Sequence, residues 1–144
     1  MNTKKIFGLV GKNIAYSFSR NYFSEKFAKL NLNNCSYRNF DLDKIEDFSA
    51  IFSEKSACIF GLNVTIPYKE KVGVFLDEID QDATNIGAVN TIKILPSGIK
   101  KGYNTDVYGF SKSIEPLLKE HHKKALILGT GGASKAVAYA FDKL

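Results

Sequence analysis

The chain has 144 residues, 44% of them apolar and 24% charged, a balance that describes one ordinary folded domain with a respectable core and argues against disorder. Its formal charge is +5, but the lysines are scattered. Lys4-Lys5, Lys100-Lys101 and Lys123-Lys124 each flank an apolar stretch, and no basic face interleaved with aromatics can be assembled, so no nucleic-acid partner is expected.

Lys5–Gly11, KIFGLVG, reads as a buried strand. KNIAYSFSR follows as a polar loop holding Ser17 and Ser19. From Asn21 onward, Phe23, Phe27 and Leu30 recur at helical spacing, with Ser19 as the expected N-cap. CSYRNFDL alternates as a second strand. Asp43 is placed to cap a helix over 44–54, with Ile45, Phe48 and Phe52 inward. ACIFGLNV, 57–64, is the third strand. A helix over 67–76 is expected next, then the acidic segment DEIDQDATNIG. AVNTIKIL reads as a strand, and PSGI as a turn leading into KKGYNT. Residues 106–120 read as a helix that Pro116 bends or restarts. KKALILG reads as a buried strand, and GTGGASKAVAYAFDKL as a Gly-rich turn opening a helix from about Ala133 to Leu144.

Strand, helix, strand, helix, strand implies parallel strands joined by right-handed crossovers. The expected fold class is therefore α/β, a mostly parallel open sheet with helices on both faces. Ligands of such sheets lie beyond the carboxyl ends of the strands. The serine loop leaves the first strand there, and NVTIPYKEK leaves the third. The final strand, turn and helix form only the first βα unit of a dinucleotide-binding half, which needs a βαβαβ set. The chain is thus expected to be truncated. The expected domains are 1–104, followed by 105–144 as a linking helix and the start of an incomplete Rossmann domain.

Cys35 and Cys58 stand outside any CxxC or Cys/His spacing. They are expected to be two buried, reduced thiols of a cytoplasmic protein, with no metal site. The N-terminal apolar patch is broken at Lys12 and is short for a secretory signal, and no segment is expected to engage a membrane. Nothing in the sequence sets an oligomeric state.

Two sets of residues suggest chemistry. Gly129, Thr130, Gly131, Gly132 and Ala133 link an apolar stretch to a helix, with small Ser134 where a third fingerprint glycine would fall. There glycines permit a tight turn and close backbone approach to a pyrophosphate, and the helix start offers free N–H groups. The second set is Asn63, Thr65, Lys69, Asn90, Asn104, Thr105 and Asp106, all at expected strand-to-loop junctions. Singly, each has a local explanation: Thr65 or Asp106 as a helix cap, Lys69 as a surface charge. Together, hydroxyls, amides, one amine and one carboxylate on one sheet edge suit a polyol bearing a carboxylate.

GKNIAYSFS, NVTIPYK, IGAVNT, GYNTDVYGF and LGTGGAS resemble, in order and approximate spacing, the motifs of shikimate dehydrogenases. The resemblance implies a substrate-binding α/β domain followed by a Rossmann domain. It also implies NADPH-dependent reduction of 3-dehydroshikimate to shikimate, on the route to aromatic amino acids. By the same resemblance, Lys69 and Asp106 are the catalytic pair. Ser17 and Ser19 bind the substrate carboxylate, Thr65 and Asn90 hold ring hydroxyls, and Gly129 to Ala133 form the phosphate turn for NADP. Tyr16 and Arg20 replace the His and Pro usual in the family's first loop. Quinate as substrate, or a non-catalytic shikimate- or quinate-binding fragment, is the alternative. In the implied chemistry Lys69 donates a proton to the carbonyl oxygen, and a neighbouring Asp106 carboxylate favours the charged amine.

Overall fold

The computed structural model describes residues 4–53 and 58–144. Its strands are β1 (Lys5–Gly11), β2 (Cys35–Asp41), β3 (Cys58–Val64), β4 (Glu78–Ile79), β5 (Thr91–Ile94) and β6 (Lys100–Tyr103). They form one six-stranded sheet in the order β2-β1-β3-β5-β6-β4. The pairings β1–β2, β1–β3 and β4–β6 are parallel, while β3–β5 and β5–β6 are antiparallel. The antiparallel pairing of β5 with β6 follows from the PSGI turn. There Leu95 N donates to Ile99 O and Gly98 N to Leu95 O, and so short a link admits only a hairpin.

The alternation of β1 feeds two layers. Ile6 and Val10 point into the main core with Leu62, Val64, Ile92, Phe48 and Val72. Leu9 and the half-buried Phe7 face the opposite layer with Tyr37, Phe23 and Phe27. A third apolar group seats α4 (Gly132–Lys143) on α2 (Gln81–Ile86) and α3 (Asp106–Ile114). It is built on Ile86, Ala88, Val107, Ala136 and Ala140. Ala136 and Ala140 lie one turn apart, a small-residue stripe that lets the helices approach closely.

Several sequence expectations shift. Helix α1 (Phe18–Lys29) starts before Asn21, and its N-cap is Ser17 in place of Ser19. Ser17 has the extended backbone a cap requires, and its Oγ accepts from Ser19 N at 3.2 Å. Leu30 ends the helix and is exposed. The helix expected over 44–54 is a 3-10 helix, Ile45–Phe52, with Lys44 at its start. Asp43 does not cap it; its carboxylate pairs with Lys12 at 3.6 Å. Residues 54 and 57, the expected end of that helix and start of the third strand, lie outside the described residues.

Residues 67–76 form turns and a short 3-10 helix, Val72–Phe75, not an α-helix. Thr65 contributes its carbonyl to the first turn, accepting from Tyr68 N at 2.9 Å. The acidic segment, in contrast, folds. It supplies β4 and then α2, capped by Asp80, whose Oδ2 accepts from Asp82 N at 3.2 Å, and closed by Gly87 in the left-handed region at φ 72°. Pro116 does end α3 and sits in a 3-10 turn, Glu115–Leu117.

The largest departure is KKALILG. It forms no strand, and Leu126 and Leu128 are 85% and 86% exposed. An apolar strand of this kind is stable only between neighbours that pair with its backbone and cover its faces, and none of the described strands pairs with it. Nor are the thiols buried. Cys35 is half-buried and Cys58 exposed, both free.

Candidate active site

Lys69 and Asp106 are 37 positions apart and meet, with Lys69 Nζ donating to Asp106 Oδ2 at 2.6 Å. Their side chains are 17% and 34% exposed, so the pair is neither sealed in the core nor a free surface bridge. Lys69 stands in the turn after β3, and Asp106 opens α3.

The backbone beneath them is tied by amides. Tyr68, beside Lys69, is buried, and its hydroxyl donates to Leu42 O at 2.7 Å. Val89 N donates to Lys69 O at 2.8 Å. Asn104 is buried and bridges both sides: its Nδ2 donates to Ala88 O, and its Oδ1 accepts from Asp106 N, each at 3.0 Å. Asn90 is buried too. Its Oδ1 accepts from Thr105 N at 2.9 Å, Thr91 Oγ1 at 2.9 Å and Thr105 Oγ1 at 3.2 Å. That oxygen is saturated, so the Nδ2 donors are the end of Asn90 suited to a ligand.

Thr65 is half-buried where the ends of β1 and β3 converge. Its N donates to Val10 O at 2.9 Å, and Lys12 N donates to Ile66 O at 3.2 Å. The Thr65 methyl lies 2.7 Å from where a Cβ on Gly11 would stand, so only glycine fits at the end of β1. Ser17 and Ser19 open α1 on the same edge of the sheet. Among the described residues no hydrogen bond joins either serine to the Lys69–Asp106 pair. On β2, the buried Tyr37 donates its phenol to Asn63 Oδ1 at 2.8 Å. Burial pushes that phenol up to about 12, against a smaller opposing effect of the Ser19 hydroxyl.

The Gly-rich turn reaches the pair from the other side. Gly129 has φ 129°, a backbone conformation that favours glycine, and the only atom a Cβ there would meet is the rotatable Ser134 Oγ, at 2.8 Å. Gly131 is the N-cap of α4 and supplies no side-chain acceptor, leaving the first N–H groups of the helix unanswered by a cap. Thr130 and Ala133 are exposed, while Gly132 is buried against Lys69 and Ala88. Lys135 forms an ion pair with Glu70, next to Lys69. Farther along α4, Tyr139 Oη and Lys143 Nζ each donate to Asp82 Oδ1 at 2.8 Å.

A hollow of about 1080 Å³ lies elsewhere, over β1, β3 and β5, lined by Phe7, Phe60, Cys58 and other largely apolar side chains. None of Lys69, Asp106, Thr65 or Asn90 lines it, and its apolar walls do not suit a polyol. Tyr37, Tyr68 and the contact of Gly132 with Lys69 are the features sequence patterning does not reveal. Alternation in CSYRNFD turns Tyr37 inward but cannot name the partner of its hydroxyl.

An α/β sheet that gathers an amine, a carboxylate, amides and hydroxyls at its strand ends has the chemistry that suits a polar small molecule. The signature of the shikimate dehydrogenase substrate binding domain matches residues 9–92, and the chain belongs to that family. It is 43% identical over 143 residues to the shikimate dehydrogenase (NADP(+)) of Caldanaerobacter subterraneus subsp. tengcongensis, covering 99% of this chain and 50% of that one. Among solved structures it is similar to shikimate dehydrogenase 1 from Peptoclostridium difficile, with a TM-score of 0.82 at 42% identity, covering 96% of this chain and 51% of that one. It is also similar to shikimate 5-dehydrogenase from Thermus thermophilus in complex with shikimate, with a TM-score of 0.82 at 33% identity, covering 96% and 52%. The chain therefore spans about half the length of the relatives it matches. Among the described residues no helix is long and apolar enough to cross a membrane.

Proposed function

We propose that this chain is the substrate-binding half of an NADP-dependent shikimate dehydrogenase that interconverts 3-dehydroshikimate and shikimate. The observation that carries the proposal is the 2.6 Å contact of Lys69 with Asp106, half-open at the sheet edge where the motif loops emerge. The Thermus relative's description as a shikimate complex supports the choice of substrate.

Residues 1–104 bind substrate, and 105–144 link to and begin the cofactor domain. Ser17 and Ser19 hold the substrate carboxylate, whose charge the positive end of α1 also favours. Thr65 and the Nδ2 group of Asn90 hold ring hydroxyls. Reduction builds negative charge on the carbonyl oxygen, and the Lys69 ammonium donates the proton that quenches it. A general acid so placed contributes roughly 10²–10⁴-fold. Asp106 orients the ammonium and stabilises its charge. In the reverse direction the same amine takes the hydroxyl proton.

The Gly-rich turn fits a cofactor pyrophosphate: Gly129 has the positive φ of a tight glycine turn, and the start of α4 lacks a capping acceptor. Gly129, Thr130, Gly131, Gly132 and Ala133 are the residues that would hold it. NADPH, when bound, supplies the hydride.

The test is to titrate shikimate and NADP⁺ separately into the chain by calorimetry. Saturable shikimate binding without measurable NADP⁺ binding is expected, because a full dinucleotide site needs further strands. No heat from shikimate at millimolar concentration contradicts the proposal.

A further inference from the structure

Both halves of the Lys69–Asp106 pair are tied to one short stretch of backbone, Ala88 and Val89. On the lysine side the tie is main chain: Val89 N donates to Lys69 O at 2.8 Å. On the aspartate side it is a side chain. Asn104 Nδ2 donates to Ala88 O, and Asn104 Oδ1 accepts from Asp106 N, each at 3.0 Å. Asn104 is 9% exposed, so water is poorly placed to replace either bond.

The aspartate is the end of the pair that needs such a tie. Its carboxylate hangs on a single methylene and goes where its backbone goes, whereas the lysine has a long, flexible stem. Asp106 is also the first residue of α3, where N–H groups have no partner within the helix. Thr105, just before it, supplies no side-chain cap. Asn104 answers the Asp106 N–H from two residues upstream, the Asx-turn arrangement. That turn needs only the side-chain oxygen. The amide NH₂ that reaches across to Ala88 is more than a cap requires. Serine caps as well, but it is too short for that reach.

We infer that Asn104 is a positioning residue for the proposed proton transfer: its amide locks the start of α3 to Ala88 and so holds the Asp106 carboxylate at hydrogen-bond distance from Lys69 Nζ. Asn104 need not touch the ligand; it acts through Asp106. This inference rests on the functional assignment above for its effect on the reaction, but not for its effect on the pair.

The experiment uses Asn104→Ser, which keeps a capping oxygen and loses the link to Ala88, and Asn104→Ala, which loses both bonds. Asp106→Ala and the two double variants complete the set, each checked for native near-UV dichroism. First, acetylation of Lys69 by acetic anhydride is timed in the chain by peptide mass spectrometry, with the exposed Lys29 as internal reference. A carboxylate beside an amine favours its charged, unreactive form. Both Asn104 variants are expected to speed Lys69 labelling severalfold, toward the rate in Asp106→Ala, and to add nothing once Asp106 is alanine. Second, kcat and KM for shikimate are measured with NADP⁺ in a longer form that carries the cofactor-binding half. A displaced carboxylate should lower kcat about tenfold or more with KM little changed. That loss too should vanish where Asp106 is already alanine.

Unchanged labelling in Asn104→Ser would show that a cap suffices and overturns the inference. Losses that add to those of Asp106→Ala overturn it as well. So does loss of native dichroism in both Asn104 variants, which would make Asn104 a residue of the fold at large. If the longer form oxidises no shikimate, the functional assignment fails on its own, and Lys69 labelling still decides the positioning role.

Discussion

Gly132 faces Lys69 so closely that a Cβ on the glycine would lie 3.1 Å from Lys69 Cβ and 3.5 Å from Lys69 Cδ. The same Cβ would be 3.1 Å from Ala88 Cβ. The start of α4 and the stem of the lysine are therefore one packed unit, and a side chain at 132 must push them apart. Gly132→Val should cost about 1–3 kcal/mol in urea unfolding, the usual range for overpacking. Gly131, one residue earlier, has open space around its Cα and an extended backbone. Gly131→Ala should stay within about 0.5 kcal/mol. Equal effects at the two sites would show that the contact with Lys69 does not matter.

The far end of α4 is held by charge. The Lys143 ammonium first, and the Tyr139 hydroxyl second, hold the Asp82 carboxyl below its ordinary range. A carboxylate whose folded value is depressed contributes fully above its unfolded value of about 3.9, and loses that contribution as acid protonates it in the fold. Protection from hydrogen exchange along α4, measured relative to the intrinsic rate at each pH, should therefore fall as pH drops from about 5 toward 3. Asp82→Asn should abolish most of that acid dependence. An unchanged profile in the variant would assign α4 docking to its apolar face alone.

At the alkaline end the sign reverses. Tyr37 is raised from 10.0 to about 12 by burial. Its contribution is complete below about pH 10 and is lost as pH climbs toward 12, because the unfolded phenol ionises first. The stability difference between the unaltered chain and Tyr37→Phe, followed by urea unfolding, should shrink across that interval. A constant difference would mean that the phenol is not held in its protonated form.

How much of this was legible in the sequence differs by element. Strands β1 to β3 were clear because each alternates or runs apolar for seven residues, and a half-buried strand permits little else. The polar edge was clear because Asn, Thr, Lys and Asp recur wherever an apolar run stops. The helix expected over 67–76 does not form, because the segment folds as successive turns followed by a short 3-10 helix. Tyr68 and Val72 do reach the core, Tyr68 from the turns after β3 and Val72 from the short 3-10 helix. Asp43 looked like a cap because it precedes an apolar run, yet Lys12 from another loop competes for its carboxylate. KKALILG misled most, since apolar content reports what a segment can bury and not whether a partner strand is present.

Lys69, oriented by Asp106, is the proposed proton donor. The most direct measurement is steady-state kinetics in a longer form of the protein that carries the cofactor-binding half, with shikimate and NADP⁺ as substrates. Lys69→Ala should lower kcat by at least about a hundredfold with KM little changed, because the group acts on the transition state. Near-normal kcat in that variant would contradict the account and leave the 2.6 Å contact a structural ion pair.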